Sequence, residues 1–235
     1  MGDQAGPNSE PRVAMQDVVR FVRQLSHDLR NHLNAAELQA AFVGELAQDA
    51  ESKTEIKRLR GVLSEAAVAL QKLSSTIADV KLTAMEYGAA DFVEDLRLKL
   101  AQQLPDKSGD VHWNVKVDGS AALNIDPQAL QQAMVELFDN AFRHARASGP
   151  VSADVHGYDG EFVFTLREPK PEFKRTTDLW GHEPFQSVSH GHYGLGLHRV
   201  RRIIDGHNGQ FDARYDPTSA SLVTTVRLPL AGRTG

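Results

Sequence analysis

Cysteine is absent from the 235 residues of the chain. Disulfides, thiolate metal sites and cysteine nucleophiles are therefore excluded. Long apolar runs are also missing. No uncharged stretch approaches the roughly 20 residues of a membrane span, and the polar segment Met1–Glu10 has no signal-peptide core. Nor is there an excess of positive charge. Lys and Arg total 26 against 31 Asp and Glu, a net charge of −5, which argues against bulk attraction to nucleic acid or an anionic membrane. These absences lead us to expect a cytoplasmic protein with neither a membrane nor a nucleic-acid partner. The hydrophobic fraction of 41% is ample for a packed core. The length suits one large domain or two small ones.

Residues 12–86 read as two long helices. In the second, Ile56, Leu59, Leu63, Ala66, Leu70, Leu73, Ile77, Val80 and Ala84 alternate steps of three and four. That spacing is the 3.5-residue repeat of a coiled-coil seam. Ser52 with Glu55 reads as a capping-box start. The first helix has a looser seam at Val18, Val22, Leu25, Leu29, Leu33, Ala36, Ala40 and Val43. Gln48–Glu51 is a short polar turn, so the helices should be antiparallel neighbours. One hairpin cannot shield both seams from water, and a homodimer forming a four-helix bundle resolves this. Residues 1–11 are expected to be disordered.

From about residue 91 the pattern changes to α+β. Val111–Val117 alternates like a strand, and Leu123–Asp126 adds a short one. Asp126-Pro127 opens a helix with an N-cap residue and a proline at the first position. Val151–His156 and Phe162–Leu166 read as strands joined by a turn at Tyr158-Asp159-Gly160. Residues 168–193 lack any period and form a long loop. A helix over about 194–206 and strands near 209–215 and 221–228 complete an α/β sandwich spanning 91–231.

His27 lies between the seam residues Leu25 and Leu29, about 200° around the helix from each. It therefore faces outward, with Asn31 one turn further along the same face. A phosphoryl acceptor needs one imidazole nitrogen free and the other tied down. The neighbouring Asp28 is placed to hold Nδ1–H and leave Nε2 as the nucleophile. On the later helix, Glu136, Asn140 and Arg143 or His144 share a face away from the apolar stripe of Leu130, Leu137 and Ala141. In Gly194-Leu195-Gly196-Leu197, glycines at a helix start let backbone amides approach phosphate.

Taken in order, Ser26-His27-Asp28-Leu29-Arg30-Asn31, Glu136-Leu137-Phe138-Asp139-Asn140-Ala141 and Gly194-Leu195-Gly196-Leu197 resemble the transmitter core of a sensor histidine kinase. That core couples a phosphotransfer hairpin to an ATP-binding domain of the type shared with DNA gyrase and MutL. Glu183-Pro184-Phe185 and His207-Asn208-Gly209 extend the likeness. The resemblance implies that His27 is phosphorylated, that Asp28 activates it and that Asn31 positions water for dephosphorylation. It further implies ATP and Mg²⁺ as cofactors, with Asn140 giving an oxygen to the metal. Arg143 or His144 would meet phosphate, and Glu136, Gly194, Gly196 and Leu197 would line the nucleotide site. Implied partners are a second copy of the chain, a response-regulator receiver domain and a separate sensor protein supplying the signal.

The chain departs from the family after Leu166. The expected Asp-x-Gly-x-Gly, whose acid bonds the adenine amine, reads Arg167-Glu168-Pro169-Lys170-Pro171-Glu172. Glu168 is the candidate substitute acid, and the glycines have no counterpart. Asn140 and Gly194–Leu197 favour a kinase. The lost box favours a histidine phosphotransferase that relays phosphate without ATP.

Overall fold

The computed structural model describes residues 15–77, 80–143, 149–174, 176–182, 188–189 and 192–232. The expected disordered segment 1–11, His144 and Glu183-Pro184-Phe185 lie outside these. The chain divides into two compact units, Met1–Ala78 and Asp79–Gly235.

The first unit is a hairpin of α1 (Met15–Leu46) and α2 (Ala50–Ile77). The antiparallel pairing is visible at two levels of the contact. Arg60 Nε meets Glu37 Oε1 at 2.7 Å, and a side chain on Gly44 would come within 3.3 Å of Ile56. The cap of α2 differs from the expected Ser52–Glu55 box. Asp49 accepts the Ser52 N–H at 2.7 Å, so the helix starts earlier, and Glu55 pairs with Arg58 instead. That N–H holds the Asp49 carboxyl below the usual carboxylate range. Helix α2 ends at Ile77, so Val80 and Ala84 are not seam residues. Val80 packs against the core of the second unit, whose apolar surface wins it from the heptad pattern.

The seam of α1 splits into two faces. Ser26 is 1% exposed and Ala40 is buried, whereas Leu25 and Leu29 remain 44% and 40% exposed. Phe21, Leu38, Phe42 and Leu46 join them on the outside. The hairpin thus carries an apolar surface that its own two helices leave uncovered.

The second unit is a two-layer sandwich. Its elements are β1 (Met85–Gly88), α3 (Ala89–Gln103), α4 (Pro105–Ser108), β2 (Val111–Lys116), β3 (Ala122–Ile125) and α5 (Pro127–Arg143). They continue as β4 (Val151–Tyr158), β5 (Glu161–Pro169), β6 (Val188–Ser189), β7 (His192–Tyr193), α6 (Gly196–Gly206), β8 (Gln210–Asp216) and β9 (Ser221–Pro229). The main sheet has the order β2-β4-β5-β9-β8, parallel between β2 and β4 and antiparallel elsewhere. Asp159 and Gly160 both take positive φ, 50° and 77°, forming the tight turn that joins β4 to β5.

Alternation along β5 turns Phe162, Phe164 and Leu166 toward the core, where Phe164 meets Phe138 of α5 edge-on at 5.9 Å. Helix α3 was not expected, although Phe92, Val93, Leu96 and Leu100 mark its face and all are at most 1% exposed. It opens directly after β1 without the side-chain cap that flags a helix start.

Asp126 gathers three parts of this unit. Its Oδ1 accepts the Ala129 N–H of the first turn of α5, and its Oδ2 accepts the Thr83 N–H, both at 3.0 Å. Its own N–H donates to His207 Nε2 at 2.8 Å, just past the end of α6. His207 is 4% exposed, and its Nδ1 lies 2.7 Å from the Ile203 carbonyl. The ring is therefore the neutral Nδ1–H tautomer, donating at one nitrogen and accepting at the other. Burial pushes its pKa below the ordinary 6.5.

As pH falls, the unfolded chain takes this proton before the folded one does. The His207 contribution is present above about pH 6.5 and is lost below it. Melting of the second unit, which holds both tryptophans, Trp113 and Trp180, should shift downward between pH 7 and pH 5. His207→Asn should flatten that shift and cost about 1–3 kcal/mol at neutral pH through the unsatisfied Asp126 N–H. An unchanged pH slope in the variant would show that other groups set it.

Candidate functional site

The hairpin presents His27 to solvent, its side chain 66% exposed, because the preceding Ser26 takes the buried position. His27 Nδ1 lies 3.3 Å from Asp28 Oδ1, and Gln24 Nε2 donates to that same oxygen at 2.9 Å. The His27 contact, followed by that from Gln24, holds the Asp28 carboxyl below the usual carboxylate range. The Asn31 amide is 3.4 Å from His27 Nδ1. An ionised Asp28 selects the Nδ1–H tautomer and leaves the Nε2 lone pair unprotonated. The group of Asn31 that faces the ring is its Nδ2, and a ring protonated at Nδ1 does not accept from it. All three sequence-predicted residues come together here. Gln24 went unnoticed, although its position one turn before Asp28 is the ordinary spacing of a helical side-chain pair.

In the second unit α5 and α6 lie side by side. Glu136 is half-buried against Gly196, and a Cβ on that glycine would sit 2.2 Å from Glu136 Oε1. The glycine is needed for this close approach of a carboxylate to the start of α6. Gly194, at φ 64°, makes the turn that enters the helix, so α6 begins at Gly196 rather than 194. Leu195 is 5% exposed and Leu197 packs on the core, so Leu197 acts here through its packing.

Asn140 is half-buried one turn beyond Glu136. Arg143 pairs with Asp139 at 2.7 Å across a turn of α5 and is partly exposed. Arg199 of α6 donates to Gln132 Oε1 at 3.2 Å. Burial lowers the Arg199 pKa, and the neighbouring Glu136 charge opposes that shift. Among the described residues no group of three or more His, Asp or Glu side chains could hold a metal ion. Asn140 stands as a single oxygen donor, which suits Mg²⁺ completed by phosphates and water.

Glu168 continues the inward alternation of β5 and is 5% exposed. Its Oε1 lies 2.8 Å from Lys170 Nζ, an ion-pair contact without hydrogen-bond alignment. The segment after β5 is fastened to α6 by side chains that sequence reading had not assigned. Arg201 donates from Nε to the Trp180 carbonyl and from Nη2 to the Phe211 carbonyl, both at 3.0 Å. His198 Nδ1 meets the Gly181 carbonyl at the same distance.

Residues 125–232 match the family described as histidine kinase-, DNA gyrase B-, and HSP90-like ATPase. The sensor protein SphS of Synechococcus elongatus is 25% identical over 238 residues, covering 89% of this chain and 54% of that protein. The adaptive-response sensory kinase SasA of a Synechococcus strain is 25% identical, covering 81% of this chain and 54% of its own length. The histidine protein kinase DivJ of Caulobacter vibrioides is 25% identical over 97% of this chain and 40% of its own. The chain thus spans about half the length, or less, of these curated relatives. Among solved structures, full-length ShkA in complex with AMPPNP superposes with a TM-score of 0.66 at 19% identity, over 90% of this chain and 46% of that one. The Acinetobacter baumannii histidine kinase AdeS gives 0.51 at 19% identity, over 88% and 98%. Residues 125–232 therefore carry the match to this ATPase family, and over most of its length the chain is similar to sensor histidine kinases.

Proposed function

We propose that the chain is an ATP-dependent protein-histidine kinase that phosphorylates His27 and passes the phosphoryl group to an aspartate of a response-regulator receiver domain. The observation that carries this is the state of His27, an exposed imidazole whose Nδ1 is held by an ionised Asp28 while Nε2 stays open. Bound ATP supplies the phosphoryl group. Asn140 would hold Mg²⁺, Glu136 and Gly196 fix the spacing of α5 and α6, and Arg143 would offer positive charge on leaving Asp139. A phosphate chain suits the start of α6, where Gly194 turns the backbone at φ 64° and the helix N-terminus favours an anion. Asp28 balances the positive charge that develops on the ring as Nε2 forms its bond, and Asn31 positions water for the reverse step. No described helix is long and apolar enough to cross a membrane. We place the protein in the cytoplasm, working as a homodimer through the exposed face of α1.

Incubation with radiolabelled ATP and Mg²⁺ should label the chain on an acid-labile, base-stable phosphoramidate. His27→Ala should abolish labelling with stability changed by less than about 0.5 kcal/mol, since the side chain is exposed. Asp28→Asn should slow labelling on the order of a hundredfold by releasing the tautomer. Absence of labelling by ATP, with rapid labelling of His27 by a phosphorylated receiver, would instead establish the phosphotransferase.

Gly196→Ala should drive Glu136 out of place and cut the labelling rate by on the order of a hundredfold, measured at saturating ATP. Light scattering should give twice the 25.8 kDa chain mass. Leu25→Glu with Leu29→Glu should shift it to the monomer.

A further inference from the structure

The stretch Arg167–Pro171 stands where the family's adenine-reading acid would be, and nearly all its polar groups have partners inside the protein. Glu168 and Lys170 form their ion pair with side chains only 6% and 9% exposed. The Lys170 ammonium also lies 5.4 Å over the Phe173 ring. The Lys170 N–H donates to the Ala220 carbonyl at 2.7 Å. The Tyr215 hydroxyl donates between the Lys170 and Pro171 carbonyls, at 3.2 and 3.0 Å. Pro169 and Pro171 have no N–H to offer. Arg167 alternates to the other face of the sheet and meets Asp154 at 3.6 Å.

A base is distinguished by hydrogen bonds to the donors and acceptors along its edge. Reading one here would require the Glu168–Lys170 pair to open and strand a buried charge. Moving the segment aside would break the Lys170 N–H bond to Ala220 and both Tyr215 bonds, and the chain beyond it is fastened to α6 and β8 at residues 177–181 through Arg201, His198 and Thr177. A side chain on Gly181 would come within 2.6 Å of the Leu197 carbonyl, so the fit against α6 is close.

We infer that this site binds its nucleotide by the phosphate chain and does not select the base. Its ligand class is a magnesium-complexed nucleoside triphosphate of any base. The inference rests on the nucleotide-binding reading above and narrows it. Glu168 acts as the partner of Lys170 rather than as a base ligand.

Calorimetry of the full chain with Mg²⁺ and, in turn, ATP, GTP, CTP and inorganic tripolyphosphate tests it. The three nucleotides should bind within roughly threefold of one another, and tripolyphosphate should compete with each. Asn140→Ala should weaken all three by the same factor. A charge-assisted hydrogen bond to adenine would show as a roughly ten- to hundred-fold preference for ATP over GTP and CTP. That preference would overturn this inference and leave the kinase reading standing. No binding by any triphosphate would overturn the nucleotide reading and this inference together.

Discussion

The second unit depends on a backbone N–H held by an imidazole nitrogen. Asp126 caps α5 with one carboxylate oxygen and holds the chain at Thr83 with the other, while its N–H reaches His207 past the end of α6. Burial alone would raise the Asp126 pKa. The N–H groups of Thr83 and Ala129 outweigh it, so the carboxyl stays below the usual range. This knot fixes the start of α5 against the end of α6. Toward the far ends of the same two helices lie Glu136 and Gly196, so the knot sets the frame in which those residues meet. Gly209 shares in this constraint, since a Cβ there would lie 2.6 Å from the Arg227 carbonyl.

Much of this was legible in the sequence. The N-cap at Asp126, the Asp159-Gly160 turn and the alternation of β5 follow from local rules, and local rules suffice where the structure adds nothing against them. The errors arose where tertiary contacts overrode the local pattern. The heptad spacing runs on through Val80, but a second core claims that residue and the helix stops at Ile77. Ser52–Glu55 satisfies a capping rule, but Asp49 satisfies it earlier with a carboxylate already at the turn. Helix α3 had its apolar face in plain view and lacked only a capping signal.

The candidate site divides in the same way. His27, Asp28 and Asn31 lie within five residues, so their meeting is a property of one helix. Glu136 and Gly196 are sixty residues apart, and their contact at less than van der Waals distance from a hypothetical Cβ could not be read from either motif alone. Lys170 was hidden for another reason. Nothing in the sequence says that the residue two beyond Glu168 folds back upon it, because that depends on β5 ending at Pro169 and on Tyr215 waiting to take the next carbonyls. A missing motif marked the region, but the structure was needed to show what had replaced it.

The two ends of the proposed reaction lie in different dielectric surroundings. Asp28 is exposed, so its hold on His27 is local, orienting and screened by salt. Glu136 is half-buried against the N-terminus of α6, where an anion is favoured and where a phosphate would also seek to bind. A carboxylate at that point repels an incoming triphosphate more strongly than it would in water, because partial burial weakens screening. Arg199 offsets part of that charge from the side of Gln132. On these grounds a Mg²⁺ ion held at Asn140, as proposed, would favour entry of the phosphate chain, because the carboxylate that repels bare phosphate would attract the metal complex.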